Sequence, residues 1–522
     1  MAALVPIPAS QTTDAAASSF ALTDSVRLIA VPAARAAAAI TAAALEPLLG
    51  RTLEITEQPA RSGDIVLSCL DHGEHEAYTL TVAHDGVQVI GGDAAGLFYG
   101  VQTLVQLVAA SGAERHIAAT VIEDRPRFAY RGVMLDVARH FFPVPVIERY
   151  IDRIAALKLN HLHLHLTDDQ GWRLELRAHP ELTALASSTS AQGDAGGFFT
   201  KDDYARIVDH AAARHVTIVP EIDAPSHTHA ISLAHPELME PIALRESVMN
   251  VVNAFGGGVP TAGEPYTGFA VGFSSLKTRD EATYDFLADV YGELAGMTPG
   301  PYLHVGGDEA LGTDPADFAD FMNRATRIVA DLGKTPIAWH EAGASGDLSD
   351  DTIGQYWGLT TPAEGMGEKA RTFVRAGSKV ILSPADVIYL DMKYDADDPL
   401  GLTWADGPTS VEDSYTWEPT AIVDGIGEDD ILGIEAPLWT ETIRTAADID
   451  TQAFPRVASA AEIAWSPAGG PERTWASFRT RVGGLGPLWH RQGIGFHHSP
   501  EIAWAPGSGD DAAADDRGEA DR

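Results

Sequence analysis

The chain of 522 residues contains one cysteine, few basic residues and no long apolar run. Because Cys69 has no second cysteine to pair with, an intrachain disulfide and a cysteine-ligated metal site are excluded. Lysine and arginine number 36 against 74 aspartates and glutamates, a net charge of −38, which argues against nucleic acid or an anionic membrane as the main partner. No stretch of about 18 residues is both apolar and uncharged, so no transmembrane helix is predicted.

Residues 1–20 also lack the basic start and the continuous apolar stretch of a signal peptide. We therefore expect a cytoplasmic protein, with export by another route left open. Apolar residues make up 45% and charged residues 21%, which is typical of a folded globular chain of two or three domains. The negative charge favours a neutral or cationic small substrate over a polyanion.

The composition predicts four segments along the chain. Residues 1–20 are rich in alanine, serine and threonine and are predicted to be loose. Residues 21–125 alternate strand and helix patterns, including a long amphipathic helix at 94–110, and are predicted to form a small α+β domain. Residues 126–504 are predicted to form a second, larger domain, and residues 505–522 a disordered acidic tail.

The segment 126–504 alternates short apolar runs with helical patterns. Eight of these runs are predicted as strands: 131–136, 161–166, 216–221, 302–305, 336–339, 354–357, 379–382 and 432–435. Eight strands alternating with helices over about 350 residues predict an α/β fold, a (β/α)8 or TIM barrel. A doubly wound open sheet is the alternative, but the glycines at 256–258 do not follow a strand as its phosphate-binding turn would.

In a barrel of this kind, functional side chains collect at the carboxyl ends of the strands. Acidic, aromatic and a few basic residues follow the predicted strands: Arg139, Asp168, His227, Asp308, Glu309, Trp339, Trp357, Tyr389, Asp391, Trp439 and Glu441. Aromatic rings stack on pyranose faces and carboxylates accept hydrogen bonds from hydroxyls, so this rim is predicted to bind a sugar. Taken singly, each tryptophan has core packing as its alternative, His227 a satisfied loop histidine, and Asp168 a helix cap or turn.

The adjacent acids Asp308 and Glu309 follow Gly306 and Gly307 at a predicted strand end. Two adjacent carboxylates there would repel each other unless one stays protonated or a cation lies between them. Glycine permits the sharp turn and close approach that such a site needs. A solvated surface pair is the alternative interpretation.

The histidines of the segment HLHLH share one face of a predicted strand, because His161, His163 and His165 are two residues apart. They suit either a divalent metal site or a polar layer packed inside the barrel. We favour the packed layer, because the acids nearby fit other roles.

At these residues the sequence closely resembles glycoside hydrolase family 20, the β-N-acetylhexosaminidases. The similar segments follow the family's order: RGVMLDVARHFF (131–142), NHLHLHLTDDQGWRLEL (160–176), HVTIVPEIDAPSHTHA (215–230), YLHVGGDEA (302–310), YLDMKY (389–394) and GIEAPLWTE (433–441). The segment GLFYGVQTLVQL (96–107) resembles the end of the family's non-catalytic N-terminal domain. One departure is Ser226, where the family usually has glycine before the histidine.

The resemblance implies a retaining, exo-acting hydrolase of terminal β-linked GlcNAc or GalNAc. Catalysis in this family is substrate-assisted, with the substrate's own acetamido oxygen as nucleophile, and needs no cofactor or metal. By resemblance, Glu309 is the general acid and base, Asp308 orients and stabilises the acetamido group, and Tyr389 donates a hydrogen bond to its oxygen.

The other implied roles concern sugar binding. Trp339, Trp357 and Trp439 form the walls of the acetamido pocket. Arg139 binds the O3 and O4 hydroxyls of the sugar, and Asp391 and Glu441 accept hydrogen bonds from O4 and O6. Trp404 flanks the acceptor side, and Asp168 with His227 supports Glu309. The implied partner is a small molecule or oligosaccharide that ends in an N-acetylhexosamine. Two rival hypotheses stay open. One is a metal-dependent barrel hydrolase that uses the HLHLH histidines with His227, His229 and Asp308, and the other is a sugar-binding protein without catalysis.

Overall fold

The computed structural model describes residues 4–70, 72–363 and 365–509. The chain divides into two compact units, one of Met1–Ala129, Ile154–Leu159 and Phe454–Arg522, the other of Tyr130–Arg153 and Asn160–Ala453. Residues 510–522 of the predicted acidic tail lie outside the described residues. Among the described residues, no helix combines the length and the apolar character needed to cross a bilayer.

The first unit begins with an α+β arrangement. Its strands are β1 (Ser10–Thr13), β2 (Phe20–Ala21), β3 (Leu28–Ala30), β4 (Ile55–Thr56), β5 (Asp64–Cys69), β6 (Tyr78–Ala83), β7 (Gly86–Gly91), β8 (His116–Ile117) and β9 (Thr120–Asp124). Its first helices are α1 (Arg35–Leu49) and α2 (Ala94–Ala110). Seven of the strands form one mixed sheet in the order β1-β9-β6-β7-β5-β3-β4. The predicted helix at 94–110 is confirmed, and the Asp93 side chain caps it by accepting from the backbone N–H of Gly96.

The start of the chain differs from the predicted loose segment. Leu4 and Val5 are buried, and β1 pairs antiparallel with β9. The backbone N–H of Val5 donates to Oε1 of Gln106 at 2.9 Å. The prediction rested on local composition, which carries no signal for an edge strand and a polar contact completed by partners about a hundred residues away.

The second unit is built on a closed barrel, which confirms the predicted (β/α)8 fold. Its strands are β10 (Tyr130–Asp136), β11 (His161–His165), β12 (Thr167–Asp168), β13 (Gly171–Trp172), β14 (Thr217–Glu221), β15 (Tyr302–His304), β16 (Thr335–Trp339), β17 (Ile353–Tyr356), β18 (Val380–Leu382) and β19 (Ile431–Leu438). The barrel order is β10-β11-β14-β15-β16-β17-β18-β19, and parallel pairing of β10 with β19 closes it. The short strands β12 and β13 form a separate ribbon.

Helices alternate with the barrel strands. They are α3 (Val144–Ala156), α4 (Pro180–Ala186), α5 (Lys201–Ala212), α6 (His229–Ser232), α7 (Glu246–Phe255), α8 (Glu281–Met297), α9 (Pro315–Asp331), α10 (Met366–Arg375), α11 (Ala385–Ile388), α12 (Val411–Tyr415) and α13 (Ala446–Ala453). The helices α14 (Arg456–Trp465) and α15 (Trp475–Arg491) belong to the first unit. The buried face of α9 shows the usual spacing of three and four residues, with Met322, Ala325 and Val329 inside.

The barrel interior contains an apolar cluster and a charged layer. The cluster consists of Tyr130, Val219, Ile337, Ile353 and Ile381. In the charged layer, Nδ1 of His163 lies 2.9 Å from Glu435 and its Nε2 lies 3.1 Å from Glu221. The structure thus places HLHLH in a buried polar layer. The rings of His163 and His165 face carboxylates and Nδ1 of His161 lies 2.6 Å from Oδ1 of Asn160, because a buried ring nitrogen needs a partner.

Candidate active site

A cavity of about 170 Å³ lies beside the residues that follow the barrel strands. Nine of the residues singled out in the sequence line it: Arg139, His227, Asp308, Glu309, Trp357, Tyr389, Trp404, Trp439 and Glu441. Four apolar residues complete the lining: Phe255, Phe269, Val271 and Leu402. The cavity therefore combines carboxylates, one guanidinium and aromatic walls, which is the chemistry of a sugar-binding site.

The acid pair reaches the cavity through a sharp turn after β15. Gly306 and Gly307 have φ angles of 72° and 101°, in the region that favours glycine. A Cβ on Gly306 would lie 1.7 Å from Oδ1 of Asp223, and the N–H of Gly307 donates to the same oxygen at 3.0 Å. Glu309 itself has a φ of 46°, a strained value for a residue with a side chain. The turn thus requires glycine where the chain passes Asp223, and it directs both acids into one site.

The two acids differ in their surroundings. Asp308 is buried, whereas 35% of the Glu309 side chain is exposed. Burial raises the pKa of Asp308, His227 opposes that rise, and the neighbouring Glu309 adds to it. A ring nitrogen of His227 and one carboxylate oxygen of each acid lie within 4.8 Å of one another. Asp308 is thus fixed in the wall, and Glu309 is accessible for proton exchange with a bound molecule.

His227 connects the acid pair to a chain of buried charges. Its Nε2 lies 3.6 Å from Oδ2 of Asp308 and 3.6 Å from Oε2 of Glu309, and its Nδ1 lies 3.2 Å from Asp168. Burial works against a charged imidazole, but Asp168 and Asp308 outweigh it and raise the pKa of His227 well above the ordinary value. Oδ2 of Asp168 also forms an ion pair with Nη1 of Arg139 at 2.6 Å. The imidazole of His227 thus lies between Asp168 and the acid pair.

Arg139 keeps its positive charge inside the cavity wall. Burial favours loss of the proton, but Asp168, Asp136 and Glu441 outweigh it and raise the pKa of Arg139. The guanidinium also lies over the Trp439 ring, 4.8 Å from its centroid. Burial and Asp136 raise the pKa of Glu441 to about 7, against the effect of Arg139. This side of the cavity therefore offers both donors and acceptors to hydroxyl groups.

Aromatic side chains form the opposite wall. The Trp404 ring lies 6.0 Å from that of Trp357 and 5.6 Å from that of Tyr389, both in edge-to-face geometry. Trp404 is 40% exposed and stands at the mouth. Burial, with Asp391 nearby, raises the pKa of Tyr389 well above its ordinary value, so its hydroxyl stays a hydrogen-bond donor.

Three predicted residues lie behind the lining. Asp168 is the support described above, as expected of a residue that acts through His227. Trp339 is fully buried, with its ring 6.1 Å from that of Trp439. Asp391 is buried and accepts from the backbone N–H of Trp439 at 3.4 Å. The structure thus brings all twelve predicted residues together, nine in the lining and these three next to it.

One acid, Glu341, and the four apolar lining residues have no role predicted from the sequence. Glu341 Oε2 accepts from Trp357 Nε1 at 3.0 Å, and burial together with Asp308 raises the pKa of Glu341 to about 8. Phe269 and Val271 belong to the run FAVGF in the long loop between β14 and β15. The sequence signal for these lining residues is an apolar run inside a Gly-rich loop, because apolar side chains in a loop are usually buried against the protein or against a ligand.

Several histidine and acid groups in the described ranges have the geometry to ligate a metal ion. Four of them lie in or beside the cavity or in the barrel layer: His227 with Asp308 and Glu309, Asp168 with Asp223 and His227, His165 with Glu221 and Asp223, and His163 with Glu221 and His304. In the last group, ion pairs of 3.1 Å and 2.8 Å already join Glu221 to the two rings. A further group lies away from the cavity lining, at His179, Glu181 and His235.

Comparisons with known proteins identify the family of this chain. The model of glycosyl hydrolase family 20, catalytic domain, matches residues 128–317 and 313–468, and that of the family's domain 2 matches residues 1–125. The chain is 38% identical over 501 residues to a β-N-acetylhexosaminidase of Cellulomonas fimi, covering 95% of this chain and 96% of the relative.

Solved structures of the family superpose over nearly the whole chain. A glycoside hydrolase family 20 β-N-acetylglucosaminidase aligns with a TM-score of 0.89 and 57% identity, over 97% of this chain and 100% of that one. A mutant β-hexosaminidase of Streptomyces plicatus, solved with its product GlcNAc, aligns with a TM-score of 0.87 and 40% identity, over 96% and 98%. The chain belongs to glycosyl hydrolase family 20.

Proposed function

We propose that this protein is a retaining β-N-acetylhexosaminidase that removes terminal, non-reducing β-linked GlcNAc or GalNAc by substrate-assisted catalysis. The observation that carries the proposal is the adjacent pair Asp308 and Glu309, one buried and one accessible, facing the same aromatic cavity. Two acids with different exposure can serve different ends of one substrate. The relatives in Cellulomonas fimi and Streptomyces plicatus, named for this activity, support the assignment.

In the first step, Glu309 gives its proton to the glycosidic oxygen while the acetamido oxygen of the substrate attacks C1. The bond between C1 and the glycosidic oxygen breaks, the leaving sugar departs as an alcohol, and a cyclic oxazolinium ion remains. Asp308 accepts a hydrogen bond from the acetamido N–H and balances the positive charge that develops there. Tyr389 donates a hydrogen bond to the acetamido oxygen and holds it near C1.

In the second step, the Glu309 carboxylate takes a proton from a water molecule as that water attacks C1. The bond between C1 and the acetamido oxygen breaks, which restores the N-acetyl group and the acid form of Glu309. Two inversions at C1 give net retention of configuration. His227, held by Asp168, positions the two acids for both steps.

The remaining residues select the sugar. Trp357 and Trp439 enclose the acetamido methyl group and exclude water from it, and Trp339 backs this wall. Arg139 donates to O3 and O4, where its planar fork suits neighbouring hydroxyls. Asp391 and Glu441 accept hydrogen bonds from the O4 and O6 hydroxyls, and Trp404 stacks on the sugar ring on the leaving-group side of the scissile bond. The substrate is thus a molecule or oligosaccharide with a terminal N-acetylhexosamine.

The test is a hydrolysis screen of aryl β-N-acetylglucosaminide, aryl β-N-acetylgalactosaminide and aryl β-glucoside. We expect cleavage of the first two and no cleavage of the glucoside, because the glucoside has no acetamido nucleophile. A thiazoline mimic of the cyclic intermediate should inhibit competitively. Cleavage of the glucoside at a similar rate, or no effect of the thiazoline, would overturn the proposed mechanism.

The same screen distinguishes the rival hypotheses. A sugar-binding protein without catalysis would bind GlcNAc and cleave none of the substrates. A metal-dependent hydrolase would lose activity with a chelator and regain it with added Zn²⁺. We expect activity that does not change on chelation.

A further inference from the structure

The pentapeptide Ala-His-Pro-Glu-Leu occurs twice in the chain, at 178–182 and at 234–238. In both copies the histidine precedes a proline that begins a helical turn, α4 in the first copy and a single 3-10 turn, Pro236–Leu238, in the second. The two histidines share one backbone conformation, with φ and ψ of −136° and 65° at His179 and −128° and 63° at His235. The repeat thus presents two imidazoles in the same local geometry.

The fold brings the two copies into contact. The rings of His179 and His235 lie 5.0 Å apart and nearly perpendicular, with an interplanar angle of 88°. Both rings pack against Phe286 of α8, at 4.8 Å and 5.4 Å. Their side chains are only 14% and 13% exposed, so the two imidazoles are held in position by packing.

Glu181, from the first copy, lies between the two rings. Its Oε1 is 3.7 Å from Nδ1 of His179 and 3.1 Å from Nε2 of His235. The ligating atoms of these three residues all lie within 4.8 Å of one another. The buried Nε2 of His235 has no hydrogen-bond partner in the described residues, because the angle to Glu181 is unfavourable for one. Two ring nitrogens and a carboxylate oxygen therefore converge on one point.

The other nitrogen of each ring faces a second carboxylate. Nδ1 of His235 lies 3.2 Å from Oε1 of Glu237, in the second copy, and Nε2 of His179 lies 3.7 Å from Oδ2 of Asp289 on α8. A histidine that ligates zinc usually presents its remaining N–H to a carboxylate, which fixes the tautomer and orients the ring. His235 has that arrangement here, and His179 has a carboxylate close to its second nitrogen but beyond hydrogen-bond distance.

We propose that Nδ1 of His179, Nε2 of His235 and a carboxylate oxygen of Glu181 form a Zn²⁺ site. Two imidazoles and one carboxylate are ligands that Zn²⁺ takes readily in tetrahedral geometry, and water supplies the fourth position. None of these residues lines the catalytic cavity, so the ion takes no part in glycoside hydrolysis. Its role is structural: it joins the start of α4 to the turn after α6, two segments 56 residues apart in the sequence.

The test measures zinc bound to the full chain. The protein is treated with a chelator, dialysed against a small excess of ZnCl₂, passed through a desalting column and analysed for metal by mass spectrometry. We expect the double variant His179→Gln/His235→Gln to retain one Zn²⁺ less per chain than the parent. The matched control is His210→Gln, which removes a partly buried histidine 2.9 Å from Asp152. Among the described residues His210 makes no ring contact with another imidazole, so this variant should retain as much zinc as the parent.

Two further measurements keep the proposal testable if the double variant folds poorly. Glu237→Gln changes an exposed residue outside the ligand set and should weaken Zn²⁺ binding by about 10–100-fold without affecting the fold. Co²⁺ in place of Zn²⁺ should give the intense visible bands of a tetrahedral ion in the parent and none from this site in the double variant. Equal zinc retention by parent and double variant, or no retention by the parent, would overturn the proposal.

Discussion

At the scale of single residues, neighbouring carboxyl groups in this site differ mainly in burial. Asp308 is enclosed, Glu309 is partly open to solvent, and Glu341 lies behind Trp357 with 17% of its side chain exposed. Burial penalises the charged form of each enclosed group, whereas His227 favours it at Asp308. The difference in exposure and in pKa between these carboxyl groups therefore follows from where the backbone places each one.

Substitution of the accessible acid tests its role. We expect Glu309→Gln to reduce kcat/KM on a chitobiose-type substrate by about 10²–10⁴-fold, the usual contribution of general acid–base catalysis. An aryl glycoside with an acidic leaving group needs less protonation, so its bond-breaking step should lose much less. The measurement is steady-state kinetics on both substrates, with Asp308→Asn as the comparison, which should impair both. Equal losses on the two substrates for Glu309→Gln would contradict the role of general acid.

Glu341 makes the stability of the protein depend on pH. Its pKa is about 8 in the folded state against an ordinary value of 4.5, so between these values the folded chain keeps a proton that the unfolded chain has released. Stability should therefore fall as pH rises from about 5 to about 8, by about 1.4 kcal/mol for each unit of pKa shift. Glu341→Gln keeps an acceptor for Trp357 and removes this titration.

The check is denaturant unfolding of the parent and Glu341→Gln at pH 5 and pH 8. The variant should lose less stability than the parent between the two pH values, and the exposed control Glu246→Gln should behave like the parent. If the free energy of unfolding changed by the same amount between pH 5 and pH 8 in the parent and in Glu341→Gln, Glu341 would be ionised throughout this range and the prediction would be wrong.

At the scale of elements, the turn after β15 has a steric requirement that the turn after α9 does not have. Gly306 has a left-handed φ, and an added Cβ would collide with Asp223. Gly333, after α9, has a similar φ of +75°, but an added Cβ would meet nothing within 4 Å. Gly333→Ala should therefore cost about 1–2 kcal/mol, the ordinary penalty of a left-handed residue.

Gly306→Ala carries the same conformational penalty plus the collision with a buried carboxylate. We expect it to lower the unfolding free energy more than Gly333→Ala does and to reduce kcat by at least tenfold, because it displaces Asp308 and Glu309. Thermal unfolding and kinetics of the two variants measure both effects. Equal destabilisation by the two substitutions, with activity unchanged, would show that the turn tolerates a side chain.

The same elements show how far the sequence predicts this fold. All eight barrel strands were predictable because each is a short apolar run between helical patterns, and the glycine pair indicated the turn at Asp308. The path of the long connection between β14 and β15 was not predictable, because it depends on tertiary contacts. This connection supplies Phe255, at the end of α7, and the loop residues Phe269 and Val271 to the cavity. The burial of Trp339 was not predictable either, because a strand-end position does not tell which way a side chain points.

At the scale of the whole molecule, the net charge of −38 bears on which sugars can approach. The electrostatic field of a strongly charged protein repels substrates whose charge has the same sign, over distances set by the ionic strength. The Debye length falls from about 30 Å at 0.01 M salt to about 8 Å at 0.15 M, so added salt shortens the reach of this repulsion. Inside the cavity, the guanidinium of Arg139 is already paired with Asp168 at 2.6 Å.

These charges predict a difference between a neutral aryl N-acetylglucosaminide and its 6-sulfated counterpart. The value of kcat/KM for the neutral substrate should change little between about 0.01 M and 0.15 M salt, and for the sulfated substrate it should start low and rise several-fold. The neutral substrate serves as the control for effects of salt on the protein itself. A sulfated substrate that is cleaved faster at low salt would mean that Arg139 or another cation dominates the field at the cavity, and that the net charge of the chain does not set its preference.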